Sequence, residues 1–178
     1  MSQPKIISVY GSSQPKPGSP DYQLGYRVGQ LLAQAGFTAQ TGGYGGLMEA
    51  VSHGANEAGG HVIGVTSAQI EAYRVIPPNP WIHEEIKYDT LRDRLLHLLL
   101  HCDGAIVLPG GIGTLAEIAL HWNFVQVDEV PKNPLILLGE LWPTVLTPLM
   151  ESEYVNPINN DLLTFVTTPE AAVETLTR

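Results

Sequence analysis

The chain has 178 residues, 44% hydrophobic and 15% charged, enough for one domain with a sizeable core over residues 1–178 and short for two. Its formal charge of −9 at pH 7, from 9 Lys and Arg against 18 Asp and Glu, argues against a nucleic-acid partner, which needs clustered cations to displace phosphate counterions. A single cysteine, Cys102, rules out an intrachain disulfide and a cysteine zinc framework; with no apolar run of roughly 18 residues and no leader-like start, the expectation is an untargeted cytoplasmic protein with no membrane partner.

Apolar, partly β-branched runs recur in chain order at "KIISVY" (5–10), "FTAQT" (37–41), "HVIGVT" (61–66), "GAIVL" (104–108), "PLILL" (134–138) and "LLTFVTT" (162–168), and each predicts a strand. Between the first three, Leu24, Val28, Leu31, Leu32 and Ala35 stand at helical spacing before Gly36, and Leu47, Ala50, Val51, Gly54, Ala55 and Ala58 before Gly59. These predict helices with glycine stops. Strands apolar on both faces, alternating with helices, predict an α/β fold: a Rossmann-like, doubly wound, mostly parallel sheet covered on both sides.

Residues 67–88 hold three of the 14 prolines and end in the alternating "WIHEEI", which predicts a long loop with one strand in it. A helix from about Thr90 to His101 carries "LLHLLL" (95–100), apolar on every side. One side can enter its own core, so the rest calls for a homodimer or higher homo-oligomer. Pro143, Pro148 and Pro157 predict a short or kinked helix in 141–158. Thr168 followed by Pro169 and Glu170 predicts a capped last helix.

Two glycine-rich turns, "QTGGYGGLMEAV" (40–51) and "LPGGIGTLAEIA" (108–119), each follow a strand and open a helix. A helix start offers unpaired N–H groups and a positive dipole end, so it can receive a phosphate without a basic surface. Gly43, Gly45, Gly46 and Met48 in the first turn, and Gly110, Gly111, Gly113 and Thr114 in the second, are therefore candidate phosphate or nucleotide contacts. Gly11, Ser12 and Ser13 form a third such turn, and in a parallel sheet all three emerge at one carboxyl edge. Tight strand–helix turns alone would also ask for some of these glycines. Neither turn is a P-loop, since no Gly-Lys-Ser or Gly-Lys-Thr follows. "GIGTLA" (111–116) matches a dinucleotide pattern but lies too late in the chain for that use.

Glu117 falls about one turn into its helix, close to the phosphate turn. Arg94 and Arg92 open the helix that leads into "GAIVL". A carboxylate, an arginine and phosphate cradles at one edge suit cleavage of a bond in a phosphorylated sugar, where positive charge develops at the anomeric carbon. His97 and His101 have the spacing of paired zinc ligands but lack an intervening glutamate and a third ligand, so no metal is expected. Glu117 and His121 share a helix face, with a surface pair the plainer reading.

These residues resemble a known family. "PGGIGTLAE" (109–117) matches the P-G-G-x-G-T-x-x-E motif of the LOG (Lonely guy) family, long mislabelled as lysine decarboxylases, and "GGYGGLMEAVSHGA" (42–55) resembles its other glycine-rich segment. With "VYGSS" (9–13) the likeness covers most of residues 5–140. It implies a Rossmann-like fold, a dimer, and hydrolysis of the N-glycosidic bond of a nucleoside 5'-monophosphate to free base and ribose 5-phosphate, as in cytokinin riboside 5'-monophosphate phosphoribohydrolases. It implies that Glu117 is the catalytic carboxylate. The family's catalytic arginine, in M-H-x-R-K fifteen residues before the motif's proline, falls on Arg94; here the segment reads "LRDRL", with Arg92 at the histidine position and Leu95 at the lysine position. Pyridoxal phosphate chemistry needs a Schiff-base lysine, and Lys5, Lys16, Lys87 and Lys132 all lie outside the glycine-rich turns.

No cofactor is expected, and the partner is a small nucleotide or other phosphorylated ligand. The sequence favours the hydrolase, with Glu117 and Arg94 catalytic. The chain is also similar to molybdenum cofactor carrier proteins, which implies the alternative of binding without chemistry. A nucleotide sensor acting through a partner protein is the third reading.

Overall fold

The computed structural model describes residues 4–177. Seven strands form one sheet in the order β4-β3-β2-β1-β5-β6-β7, every pairing parallel. They are β1 (Ile6–Tyr10), β2 (Thr38–Thr41), β3 (Val62–Ser67), β4 (Glu84–Tyr88), β5 (Gly104–Val107), β6 (Leu135–Leu138) and β7 (Leu163–Val166). The chain runs outward from β1 to β4, then crosses back to lay β5 on the other side of β1, with Tyr10 beside Val107. That reversal makes the β1/β5 boundary the switch point at which open α/β sheets form a crevice.

Helices α1 (Pro20–Gln34), α2 (Leu47–Glu57) and α7 (Pro169–Leu176) cover one face; α4 (Leu91–Leu100), α5 (Ile112–Gln126) and α6 (Leu141–Met150) cover the other. The period-2 alternation of a strand divides the side chains between two cores. Ile7, Val9, Ile106 and Leu108 meet Val28, Leu32, Leu47 and Val51. Tyr10, Ala105 and Val107 meet Leu98, Ile118, Trp122 and Trp142. The central strands are buried on both faces, which is why their sequences read as continuous apolar runs.

Each expected strand is present within a residue or two, and the short alternating segment near residue 84 pairs as edge strand β4. The long loop expected over 67–88 needs correction. Ser67 caps α3 (Ala68–Arg74), and Val75 closes it in the left-handed region at φ 50°. This helix buries none of its residues, so it has no apolar stripe to announce it. Pro148 lies inside α6, a ten-residue helix. On α4, Leu91 and Leu100 are exposed while Leu95 and Leu96 are half-buried.

Candidate active site at the switch point

Three strand ends, those of β2, β1 and β5, stand side by side, and the turns that follow them interlock. The Ser12 amide donates to the Pro109 carbonyl at 3.0 Å, and the Leu47 amide donates to the Ser12 carbonyl at 2.8 Å. The loop after β1 thus bridges the starts of α2 and α5. An open cleft of about 500 Å³ runs past Ser12, Gln14, Pro15, Pro109, Gly110 and Gly111.

Helix capping separates these two starts from most others. Ser19, Ser67, Thr90 and Thr168 cap α1, α3, α4 and α7, each accepting a hydrogen bond from the amide three residues on. Both α2 and α5 begin at a glycine, Gly46 and Gly111, with no side-chain cap. The first amides of α5 therefore remain donors for a ligand or water, as do those of α2 that follow Leu47, whose own N–H is taken by the Ser12 carbonyl.

The glycines of the two turns differ in what demands them. A Cβ on Gly42 would lie 1.8 Å from Nη2 of Arg94. Gly46 has φ +72°, and a Cβ there would come within 2.5 Å of the Ser12 carbonyl oxygen and of Ser13 Cα. Gly43 also has a positive φ and backs onto Thr66, and Gly11 is wedged between Leu47 and Leu108. The fold requires glycine at Gly43 and Gly46 by backbone conformation and at Gly42 as long as Arg94 keeps its place, while Gly11 is tightly packed. Gly110 lies against the Thr114 side chain, whereas a Cβ on Gly111 or Gly113 would meet nothing within 4 Å, and Gly45 is nearly as open.

Behind the α5 turn sits Glu117, 9% exposed, which makes no hydrogen bond and no close ion pair among the described residues. Burial pushes its pKa up to about 7, with the Arg94 charge opposing the shift. Arg94 is 6% exposed; its Nε donates to the Val65 carbonyl at 2.8 Å and its Nη2 to the Gly42 carbonyl at 3.1 Å. The guanidinium also lies over the Tyr44 ring, 5.8 Å from its centroid, and Nη2 is 3.9 Å from Met48 Sδ. Burial lowers its pKa, against the effects of Glu117 and Tyr44, but a guanidinium stays charged at neutral pH. Among the described residues, the buried side-chain nitrogen or oxygen left without a partner is Oδ1 of Asn160. The unbonded Glu117 carboxylate and Arg94 Nη1 therefore both touch solvent. Two residues expected from sequence to act together lie within electrostatic reach of one another, close to the uncapped helix starts.

Several contributors were not legible in the sequence. His121, with the neighbouring tyrosine of β1, forms a buried support one turn beyond Glu117. Its Nδ1 lies 3.0 Å from Tyr10 Oη, which also donates to the Leu98 carbonyl at 3.2 Å. The plainer expectation of a surface Glu117–His121 pair is corrected: His121 is 1% exposed, and burial lowers its pKa to about 4, so the ring is neutral. Asn79 holds the first turn from outside, its amide donating to the Gly43 carbonyl at 2.8 Å and its Nδ2 to that of Tyr44 at 3.1 Å. Arg74, at the end of α3, donates from Nη1 to Ser13 Oγ at 3.1 Å. Arg92 takes no part; it is exposed and pairs with Asp93 at 3.1 Å. His97 is held by Tyr88 and Gln40, and Lys87 by Glu71.

A model of the SLOG cluster4 family matches residues 4–152. The chain is 28% identical over 169 residues to a Mycobacterium tuberculosis protein named cytokinin riboside 5'-monophosphate phosphoribohydrolase, covering 90% of this chain and 87% of that one. It is 34% identical over 131 residues to the Escherichia coli pyrimidine/purine nucleotide 5'-monophosphate nucleosidase, covering 67% of this chain and 28% of that longer protein. Among solved structures, the molybdenum cofactor binding protein of Rippkaea orientalis matches with a TM-score of 0.77 and 28% identity, over 99% of this chain and 97% of that one.

Proposed function

The chain belongs to the SLOG cluster4 family, and from that premise we propose that it hydrolyses the N-glycosidic bond of a nucleoside 5'-monophosphate, releasing free base and ribose 5-phosphate. The buried Glu117 carboxylate, unpaired among the described residues and set behind an uncapped, glycine-opened helix start, carries this reading. The phosphate rests on the first amides of α5 and on the free amides of the turn before α2, at Gly110 to Thr114 and Gly43 to Met48 apart from Leu47, with Gly11 to Ser13 bridging them. The sugar then lies towards Glu117.

In the reaction the C1'–N bond breaks with its electron pair going to the base, and the oxygen of water bonds to C1'. Glu117 in its charged form stabilises the positive charge that develops at the anomeric carbon and takes the proton of the attacking water, which passes on to the departing base. Arg94 opposes the burial that favours protonated Glu117, so that the charged form is still populated at neutral pH, and offers Nη1 to the ligand. A carboxylate titrating near 7 suits such a proton transfer at neutral pH. Relatives named as a phosphoribohydrolase and a nucleotide nucleosidase support the reaction class.

One observation favours a second reading, carriage of molybdenum cofactor without chemistry. The likeness to the Rippkaea orientalis binding protein runs over nearly the whole of both chains, and uncapped helix starts would hold that ligand's phosphate equally well. Incubation with AMP and other nucleoside monophosphates, following free base and ribose 5-phosphate by chromatography, separates the two. The hydrolase reading expects base release that Glu117→Gln removes. Absence of release from every nucleotide by folded protein would overturn it and leave the carrier.

A further inference from the structure

Of the arginines among the described residues, Arg27 and Arg92 are engaged by Glu170 and Asp93, and Arg94 is sunk onto two backbone carbonyls. Arg74 differs from all of them. It is exposed, no carboxylate lies within 4 Å of it among the described residues, and its one hydrogen bond runs to Ser13 Oγ. Ser13 in turn covers the α2 start so closely that Gly46 has no room for a Cβ. The Arg74 guanidinium is therefore anchored beside one of the two uncapped helix starts.

Its approach is built by an unfavourable piece of backbone. Val75 ends α3 at φ 50°, a region β-branched residues avoid. Strain of this kind persists where the surroundings hold it in place. Here Ser67 caps α3, and Glu71 of that helix accepts from Lys87 and from Tyr44 of the first glycine turn. Electrostatics supply the need. The chain carries a net charge of −9, Glu117 faces the site, and Glu49 stands in the first turn of α2. Apart from Nη1 of the buried Arg94, helix dipoles must then hold a doubly charged phosphate against carboxylates, and their contribution is modest and falls off within a turn.

We propose that Arg74 is a ligand-contacting residue that releases Ser13 Oγ to bind the phosphate monoester of the ligand, so that the site selects phosphorylated over unphosphorylated forms. This deepens the phosphate placement given above and does not depend on which chemistry follows. A guanidinium offers a planar fork of donors to phosphate oxygens, and a charge-assisted pair of this kind is strong enough to set affinity.

Calorimetric titration with ribose 5-phosphate, and separately with AMP and adenosine, tests the assignment in Arg74→Gln and Arg74→Lys. The expected result is a loss of at least tenfold in affinity for ribose 5-phosphate and AMP in Arg74→Gln, partial recovery in Arg74→Lys, and unchanged adenosine binding. Equal affinity in parent and variant, no ribose 5-phosphate binding by the parent, or an equal loss for adenosine and AMP would each overturn it; the last would make Arg74 a prop for α3 alone. A parent that binds ribose 5-phosphate through Arg74 yet hydrolyses no nucleotide would keep this assignment while removing the proposed reaction.

Discussion

The two glycine-rich turns look alike in sequence and are opposite in kind. In the turn before α2, glycine is imposed by the protein everywhere but at the open Gly45: Gly42 leaves room for Arg94, and Gly46 turns at φ +72° under the loop after β1. In the turn before α5, Gly110 is crowded by the Thr114 side chain, but Gly111 and Gly113 face open space with no positive φ, and Glu117 lies buried without a hydrogen-bond partner among the described residues. The first turn obeys folding, whereas the second breaks two rules of stability at once. A sequence that departs from local consistency at one place tends to do so for function, so substitutions in the two turns should move stability in opposite directions.

Glu117→Gln gives the largest separation. Turnover should fall about a thousandfold, as for loss of a catalytic carboxylate, while the fold gains. The folded pKa of Glu117 is raised from 4.5 to about 7, so its protonated form is the favoured one and stability is lost as pH rises from the unfolded value through 7. Removing the charge should stabilise the protein by about 3 kcal/mol at pH 8 and by almost nothing near pH 4. Denaturant melts across that range check the sign. His121 works the other way: its folded pKa, lowered from 6.5 to about 4, makes stability fall as pH drops through that window. The two slopes offset each other in the parent between about pH 4.5 and 6.5. The variant, keeping only the histidine, should lose stability with acid there.

Gly42→Ala should show the opposite behaviour in the other turn. The new methyl displaces the guanidinium from its carbonyl acceptors, and a buried cation without them costs about 3 kcal/mol, read as a drop in melting temperature together with weakened activity. Gly46→Ala should cost about 2 kcal/mol from its backbone conformation and the clash with the loop after β1. Gly113→Ala, the smallest effect, should gain about 0.5 kcal/mol from helix propensity while lowering the affinity for ribose 5-phosphate. A destabilised Gly113→Ala would break the contrast between the turns.

Legibility in the sequence followed burial and period. Strands buried on both faces and helices with one apolar stripe were readable from spacing, as were the three turns, because glycine pairs between a strand and a helix admit few geometries. Helix α3 was not, since seven residues with no buried member carry no stripe and Val75 stands where a glycine would signal the end. The burial of Arg94 was equally hidden: an arginine on a helix reads as a solvated side chain, and its acceptors are carbonyls at the ends of β2 and β3. His121 could be placed on the face of Glu117, but α5 is apolar nearly all round, and the partner that shows which side is inward, Tyr10, comes from the first strand.

The bridge from the Ser12 amide to the Pro109 carbonyl also bears on how the protein is made. During synthesis the chain completes β1 to β4 first, and neither the α5 turn nor Glu117 exists until β5 has left the ribosome and docked beside β1. Such distant pairings form late, so a phosphorylated ligand cannot guide early folding. A ligand that binds the finished site would stabilise only the completed domain, by RT ln(1 + [L]/Kd), so the folded fraction should rise with the concentration of that ligand.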